Sequence, residues 1–200
     1  FFLMRLIFAN GLILFVLSSS VTGDTTLSPK LAEVLSSKVV AILAQADTQD
    51  SVELRTSISE VEINSWFTYG ADQLLSIGIV DLNIEISNQS ELFCRATVDL
   101  ENVARYYRTG GMLDPWAYVG GRVPVIVVGT FSSMDGTGHF ELKSASVSGV
   151  EVSKSLIQDI VSYFSRTAES PGGFNLDVSF KLPANIKQIE LSSGKAIVIQ

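Results

Sequence analysis

The chain holds few residues that could act as catalysts, and their spacing matches no catalytic motif. Its only histidine, His139, stands at the start of a predicted strand, in phase with Glu141 and Lys143 on the solvent-facing side. A Ser–His–Asp triad requires a histidine as its base, and the alternation predicts that this one is solvated. Zinc sites use several His and Cys ligands, whereas this chain has one of each. We therefore expect no catalytic residue, no metal site, no cofactor and no enzymatic activity.

The single cysteine, Cys94, stands among the alternating residues of a second predicted strand. It has no partner for an internal disulfide, so the fold must depend on its core. A reactive cysteine needs a nearby base, and the only histidine is His139. The pattern therefore predicts a buried, inert thiol at Cys94.

The composition limits which partners the protein binds. There are 21 Asp and Glu residues against 14 Lys and Arg residues, which gives a formal net charge of −7. An acidic chain attracts neither nucleic acid nor an anionic membrane surface. With 200 residues, 46% of them hydrophobic, the chain is long enough for one domain with a sizeable core.

The N-terminal residues have the pattern of a secretory signal peptide. Arg5 precedes an apolar run from Leu6 to Leu17, small residues follow, and a cleavage site is expected at residues 21–23. The apolar run is short for a membrane span. The sequence therefore predicts an exported bacterial protein of the periplasm or cell envelope, without a transmembrane span after cleavage. An uncleaved N-terminal anchor is the alternative.

Two helices are predicted ahead of the strands. Ser28 and Pro29 are typical of a helix start, and an apolar face follows them up to a linker that ends at residue 53. In the next segment, Ser59 and Glu62 have the spacing of a capping box. A helix should therefore begin sharply at residue 60.

The strands alternate between apolar and polar residues, which predicts antiparallel hairpins with one apolar and one polar face. The first hairpin covers residues 78–100, and the second follows Arg122 and turns near Asp135. A third hairpin closes the chain and turns at residues 193–194. Between the second and third hairpins, residues 150–167 predict an amphipathic helix. The fold class is therefore α+β, with a strongly twisted antiparallel sheet and helices on its apolar face.

Three segments of the sequence resemble those of known proteins: ISEVEINSWF, GGMLDPWAYVGGRVPV and VSGVEVSKSLIQDIVSYFSRT. They resemble an uncharacterised group of exported bacterial proteins, which are similar to small periplasmic members of the tubular lipid-binding (BPI-like) superfamily. The resemblance spans residues 54–200 and implies a single α+β domain in which a curved antiparallel sheet wraps around a long amphipathic helix. It also implies that acyl chains lie between sheet and helix. The predicted organisation is a signal peptide (1–23), an N-terminal helix with a linker (24–53) and this lipid-binding-like domain (54–200).

The resemblance implies an apolar lining in place of a catalytic site. Residues of the late helix would face residues of the strands across a cavity, and aromatic and basic residues would stand at its mouth. The alternative for each lining residue is ordinary core packing. The predicted lining is Leu82, Ile84, Val125, Val127, Phe131, Leu156, Ile157, Ile160 and Phe164, and the predicted mouth is Tyr106, Tyr107, Trp116 and Arg122.

Two functions follow from the sequence as hypotheses. The first is a non-enzymatic carrier or sensor of lipid, or of another long apolar molecule, in a cavity between helix and sheet. The alternative is a solid-core module that docks an envelope protein through the segment 104–122, which is rich in Gly and aromatic residues.

Overall fold

The computed structural model describes residues 26–46, 52–71, 78–101, 120–166 and 170–200. The helices of this part of the chain are α1 (Pro29–Gln45), α2 (Glu60–Tyr69) and α3 (Lys154–Phe164). The strands are β1 (Arg55–Ser59), β2 (Ile79–Ile86), β3 (Glu91–Asp99), β4 (Arg122–Met134), β5 (Thr137–Val147), β6 (Val150–Glu151), β7 (Phe180–Lys181), β8 (Gln188–Ser192) and β9 (Lys195–Ile199). The predicted α+β class is confirmed.

The strands form two open antiparallel sheets. The large sheet has the order β2-β3-β4-β5-β6, and β7 also pairs with β5. The small sheet has the order β1-β9-β8. The predicted hairpins are present, whereas the pairing of β1 with β9 was not expected from the sequence.

The first two helices begin as their sequences predict. Ser28 Oγ accepts a hydrogen bond from Leu31 N at 3.3 Å, with Pro29 in the first turn of α1. At α2, Ser59 Oγ accepts from Glu62 N at 3.2 Å, and the Glu62 carboxylate accepts from Ser59 N at 2.8 Å. This reciprocal pair satisfies two backbone donors that a helix start otherwise leaves unpaired.

The main core lies between α1, α2 and the small sheet. Leu35 and Ile186 are each 1% exposed at its centre. Lys38 of α1 also donates to both carboxylate oxygens of Glu62, at 2.7 and 2.8 Å. The first helix is therefore part of the core and not loosely attached to it. Other members of this core are Ala32, Val39, Ile42, Ile58, Trp66, Ala71, Leu182 and Val198.

Side chains close two of the strand edges. Asn64 of α2 donates from Nδ2 to Ile84 O and accepts at Oδ1 from Ile84 N, both at 2.8 Å. Ser133 of β4 accepts from Ile189 N at 2.7 Å and donates to Ile189 O at 3.0 Å. These bonds join the large sheet to α2 and to the small sheet, and they occupy backbone groups that a partner strand would otherwise use.

The late helix is shorter than predicted. Residues 150–151 form β6, and α3 begins only at Lys154, so its 11 residues span about 16 Å. The reason is the turn before it: Ser148 and Gly149 have φ values of 51° and 78°, which make a two-residue hairpin between β5 and β6. None of the helices in the described ranges has the length and hydropathy needed to cross a membrane.

Strand β2 departs from strict alternation. Its register shifts between Val80 and Asn83, where Asp81 has a φ of 52°. As a result Ile79 pairs with Val98 and shares the apolar face. Strict alternation counted back from Ile84 would place Val80 on that face, whereas the bulge turns it to the polar side, where it pairs with Thr97.

Candidate functional site

The large sheet has one apolar face, which we call the dry face. The strand register places Ile84, Cys94, Val127 and Ala145 in one row across four strands. Directly paired residues of antiparallel strands point to the same side of the sheet. A second row on this side consists of Ala96, Val125 and Val147, and a third contains Val98 and Val123. We call the end of the sheet at Thr137 its near end and the end at Val147 its far end.

Helix α3 lies on the dry face over β5. Ile157 is 4% exposed and packs in one cluster with Ala145 and with Leu176. Val127 is half-buried at the edge of this cluster. The structure therefore brings two of the predicted lining residues, Val127 and Ile157, into one packed cluster.

The neighbouring flank of α3 is apolar but uncovered. Leu156 is 45% exposed and Ile160 is 40% exposed. They lie one helical turn apart on the same side of the helix, since about 3.6 residues complete a turn. Neither residue is part of the core, so ordinary core packing, the alternative for each of them, does not describe them.

The opposite side of α3 is covered by residues 170–177, which we call the strap. Phe174 of the strap contacts Phe180 with ring centroids 5.1 Å apart, and Phe180 pairs with Gly138 at the near end of β5. The strap side of α3 therefore faces the near end of the sheet. The flank of Leu156 and Ile160 lies on the other side of the helix from Gln158 and Ser162, which bond the strap.

At its far end the dry face is only partly covered. Val123 and Val125 of β4 are half-buried, as are Ala96 and Val98 of β3. Of these residues only Val125 was predicted as lining. The same alternation places Ala96, Val98 and Val123 on this face. The sequence alone did not show how β3 pairs with β4, which is what brings these residues together.

Three predicted lining residues lie elsewhere. Leu82 and Phe131 pack against the main core, next to α1 and α2. Ile84 is 7% exposed and packs with Ala196 of the small sheet. They do not face α3, because the small sheet covers the near part of the dry face, a contact that no local pattern in the sequence encodes.

The predicted mouth is largely outside the described residues. Tyr106, Tyr107 and Trp116 lie there, and so does the side chain of Phe164. Arg122 is described: it pairs with Asp99 in the ladder, and its Nε lies 3.7 Å from the Asp99 carboxylate. Because Val123 faces the dry side, Arg122 lies on the polar face of the sheet.

The polar face of β5 carries His139, Glu141 and Lys143. His139 is half-buried, with Nδ1 3.5 Å from Ser179 Oγ. A hydrogen bond from Lys143 holds the pKa of Glu141 below its ordinary value.

On the dry face, burial raises the pKa of the Cys94 thiol to about 11, which keeps it protonated and unreactive at neutral pH. Within the described ranges no three His, Cys, Asp or Glu residues are grouped as metal ligands.

No protein-family model, curated protein or solved structure matches the chain. The resemblance to the tubular lipid-binding superfamily therefore stays a prediction.

Proposed function

We propose that this is a non-enzymatic, exported protein of the bacterial envelope that binds a lipid or another long apolar molecule. The ligand would lie between the open flank of α3 and the far end of the dry face. In the proposed arrangement the large sheet curves around α3 and leaves a hollow there, as the sequence resemblance implies. The N-terminal pattern of Arg5 and the apolar run after it supports export.

One observation carries the proposal: two large apolar side chains of α3 are exposed, and the apolar surface at the far end of the dry face is itself only half-buried. Leu156 and Ile160 belong to a helix whose next residues, Ile157 and Val161, pack on the same sheet. Apolar surface in such a place is costly when it is wet and favourable when a ligand covers it.

The expected affinity comes from the chain of the ligand. Each buried methylene contributes about 0.8 kcal/mol. About ten methylenes would contribute about 8 kcal/mol, which corresponds to a Kd near 1 µM before the cost of immobilising the chain is subtracted. A single acyl chain could therefore bind usefully without a specific polar contact.

The proposal is tested by titrating the protein with a fluorescent C16 fatty acid. Leu156→Asn and Ile160→Asn place an amide in the proposed hollow, and each should weaken binding about tenfold. The matched control is Val40→Asn, on α1, where the side chain is 52% exposed. All three positions are exposed, so none of the changes should alter stability much.

Saturable binding that is weakened at Leu156 and Ile160 and unchanged at Val40 supports the proposal. Absence of saturable binding to the unaltered protein would contradict it, and so would equal effects of the α3 and control variants. In the latter case the α3 flank would not be part of the binding surface.

A further inference from the structure

Helix α3 and the strap are held together by hydrogen bonds. Gln158 donates from Nε2 to Phe174 O at 3.0 Å and accepts at Oε1 from Leu176 N at 2.7 Å. One glutamine thus bonds the backbone of the strap at two positions, with its amide used as both donor and acceptor.

Two serines and a glycine add to this contact. Ser162 Oγ donates to Phe174 O at 3.1 Å, and Ser165 Oγ accepts from Phe174 N at 2.5 Å. A Cβ atom at Gly173 would lie 1.8 Å from Ser162 O, and Gly173 has a φ of +70°. Only glycine allows so close an approach of the two backbones. Helix and strap therefore form one rigid unit, which we call the flap.

Both ends of the flap are attached to the same strand. Ahead of α3, β6 pairs with Ser146 and Val147 at the far end of β5. After the strap, β7 pairs with Thr137 and Gly138 at the near end. The attachments therefore lie along the outer edge of one strand, as they would for a cover hinged on one side.

The inner side of the flap contacts the sheet through apolar packing. Ile157 and Leu176 of the flap are 4% and 6% exposed, and they rest on Ala145 of β5. Apolar packing is non-directional, so this contact holds the two surfaces together without the fixed geometry of hydrogen bonds. The bonds within the flap are directional and polar, and they keep its shape when it moves.

We propose that the flap opens as one body about the outer edge of β5 and admits the apolar ligand to the dry face. As a route of ligand entry this rests on the proposed function, whereas the motion itself does not. The hinge consists of Ser153, which lies between the paired strand β6 and α3, and of residues 178–179, which lead into β7.

Thiol labelling without any ligand tests the motion. In a Cys94→Ala background, Ala145→Cys places a thiol beneath the flap, and Ala32→Cys places one in the main core. The two alanines are 4% and 6% exposed, so the static structure protects them equally. An opening flap should make the Ala145→Cys thiol react at least about tenfold faster than the Ala32→Cys thiol, under conditions in which global unfolding is rare.

Ile157→Cys, on the inner side of the flap, is the second variant, because one opening exposes both surfaces. Fast labelling of either thiol relative to Ala32→Cys supports the flap, and equal labelling at all three positions overturns it. If labelling is fast while the C16 fatty acid does not bind, the flap stands and the proposed ligand does not. If the fatty acid binds while labelling is equal at all three positions, the proposed ligand stands and the flap does not.

Discussion

At the scale of single residues, the fold depends on a few polar side chains that satisfy backbone groups. Asn64 is 4% exposed and bonds both the N–H and the C=O of Ile84. A buried backbone group that loses its partner costs about 1–3 kcal/mol. One amide therefore holds α2 against the edge of the large sheet. No local sequence pattern predicts this role, because the partner of Asn64 lies 20 residues away in the chain.

Replacing this amide should destabilise the protein. We expect Asn64→Ala to lower the free energy of unfolding by about 2–4 kcal/mol, because both groups of Ile84 lose their partner. Urea denaturation measures the change. The matched control is Asn83→Ala, on the polar face, which should change stability by less than about 0.5 kcal/mol. Equal effects of the two substitutions would show that the Asn64 bonds contribute little.

The half-buried Cys94 makes stability depend on alkaline pH. Burial raises the pKa of Cys94 from 9.0 to about 11. The unfolded chain therefore loses the thiol proton at a lower pH than the folded chain, so stability falls as pH rises from about 9 to about 11, by up to about 1.4 kcal/mol per pH unit. Cys94→Ala should flatten this part of the curve relative to the unaltered protein. Parallel urea midpoints of the two proteins across pH 8 to 10.5 would contradict the burial of this thiol.

At the scale of elements, the periodicity of α3 predicted an amphipathic helix correctly but could not say which part of its apolar face is covered. Ile157 is 4% exposed and Ile160 is 40% exposed, although both belong to the same apolar stripe. Ile157 is covered by Ala145 and Leu176, which are distant from it in the sequence. By contrast, the capping box at Ser59 was predictable, because its partner Glu62 is three residues away.

This difference within one helix predicts different costs for the same substitution. Ile157→Ala should lower the free energy of unfolding by about 2–4 kcal/mol, because it leaves a cavity under α3. Ile160→Ala should cost less than about 1 kcal/mol in the ligand-free protein, since the side chain is largely exposed. Thermal unfolding of both variants measures the difference. Equal costs would mean that the two flanks of α3 are covered alike.

At the scale of the whole molecule, α1 is part of the main core. The sequence separated it from the domain by a linker, because nothing local shows where an amphipathic helix docks. In the fold its residues Leu35, Val39 and Ile42 are buried in the main core beside Trp66. The arrangement of the three hairpins was predictable from alternation, whereas the packing of the small sheet on the near part of the dry face was not.

Removing α1 should therefore unfold the protein. A chain that begins at residue 47 would expose the core around Trp66 and leave Glu62 without Lys38. We expect it to lose its near-ultraviolet circular dichroism and its cooperative thermal transition. A chain that begins at residue 24 is the control and should retain both. A cooperative transition of unchanged midpoint in the shorter chain would contradict this role of α1.

The claim on which the account of function depends is that an apolar molecule occupies the space between α3 and the far end of the dry face. Native mass spectrometry measures this directly on protein exported by a bacterial host and purified without detergent. We expect an added mass that solvent extraction removes and identifies as a long-chain compound, and that is lost in the Leu156→Asn variant. Repeated recovery of the protein at its unliganded mass, with no long-chain compound in the extract, would contradict the claim.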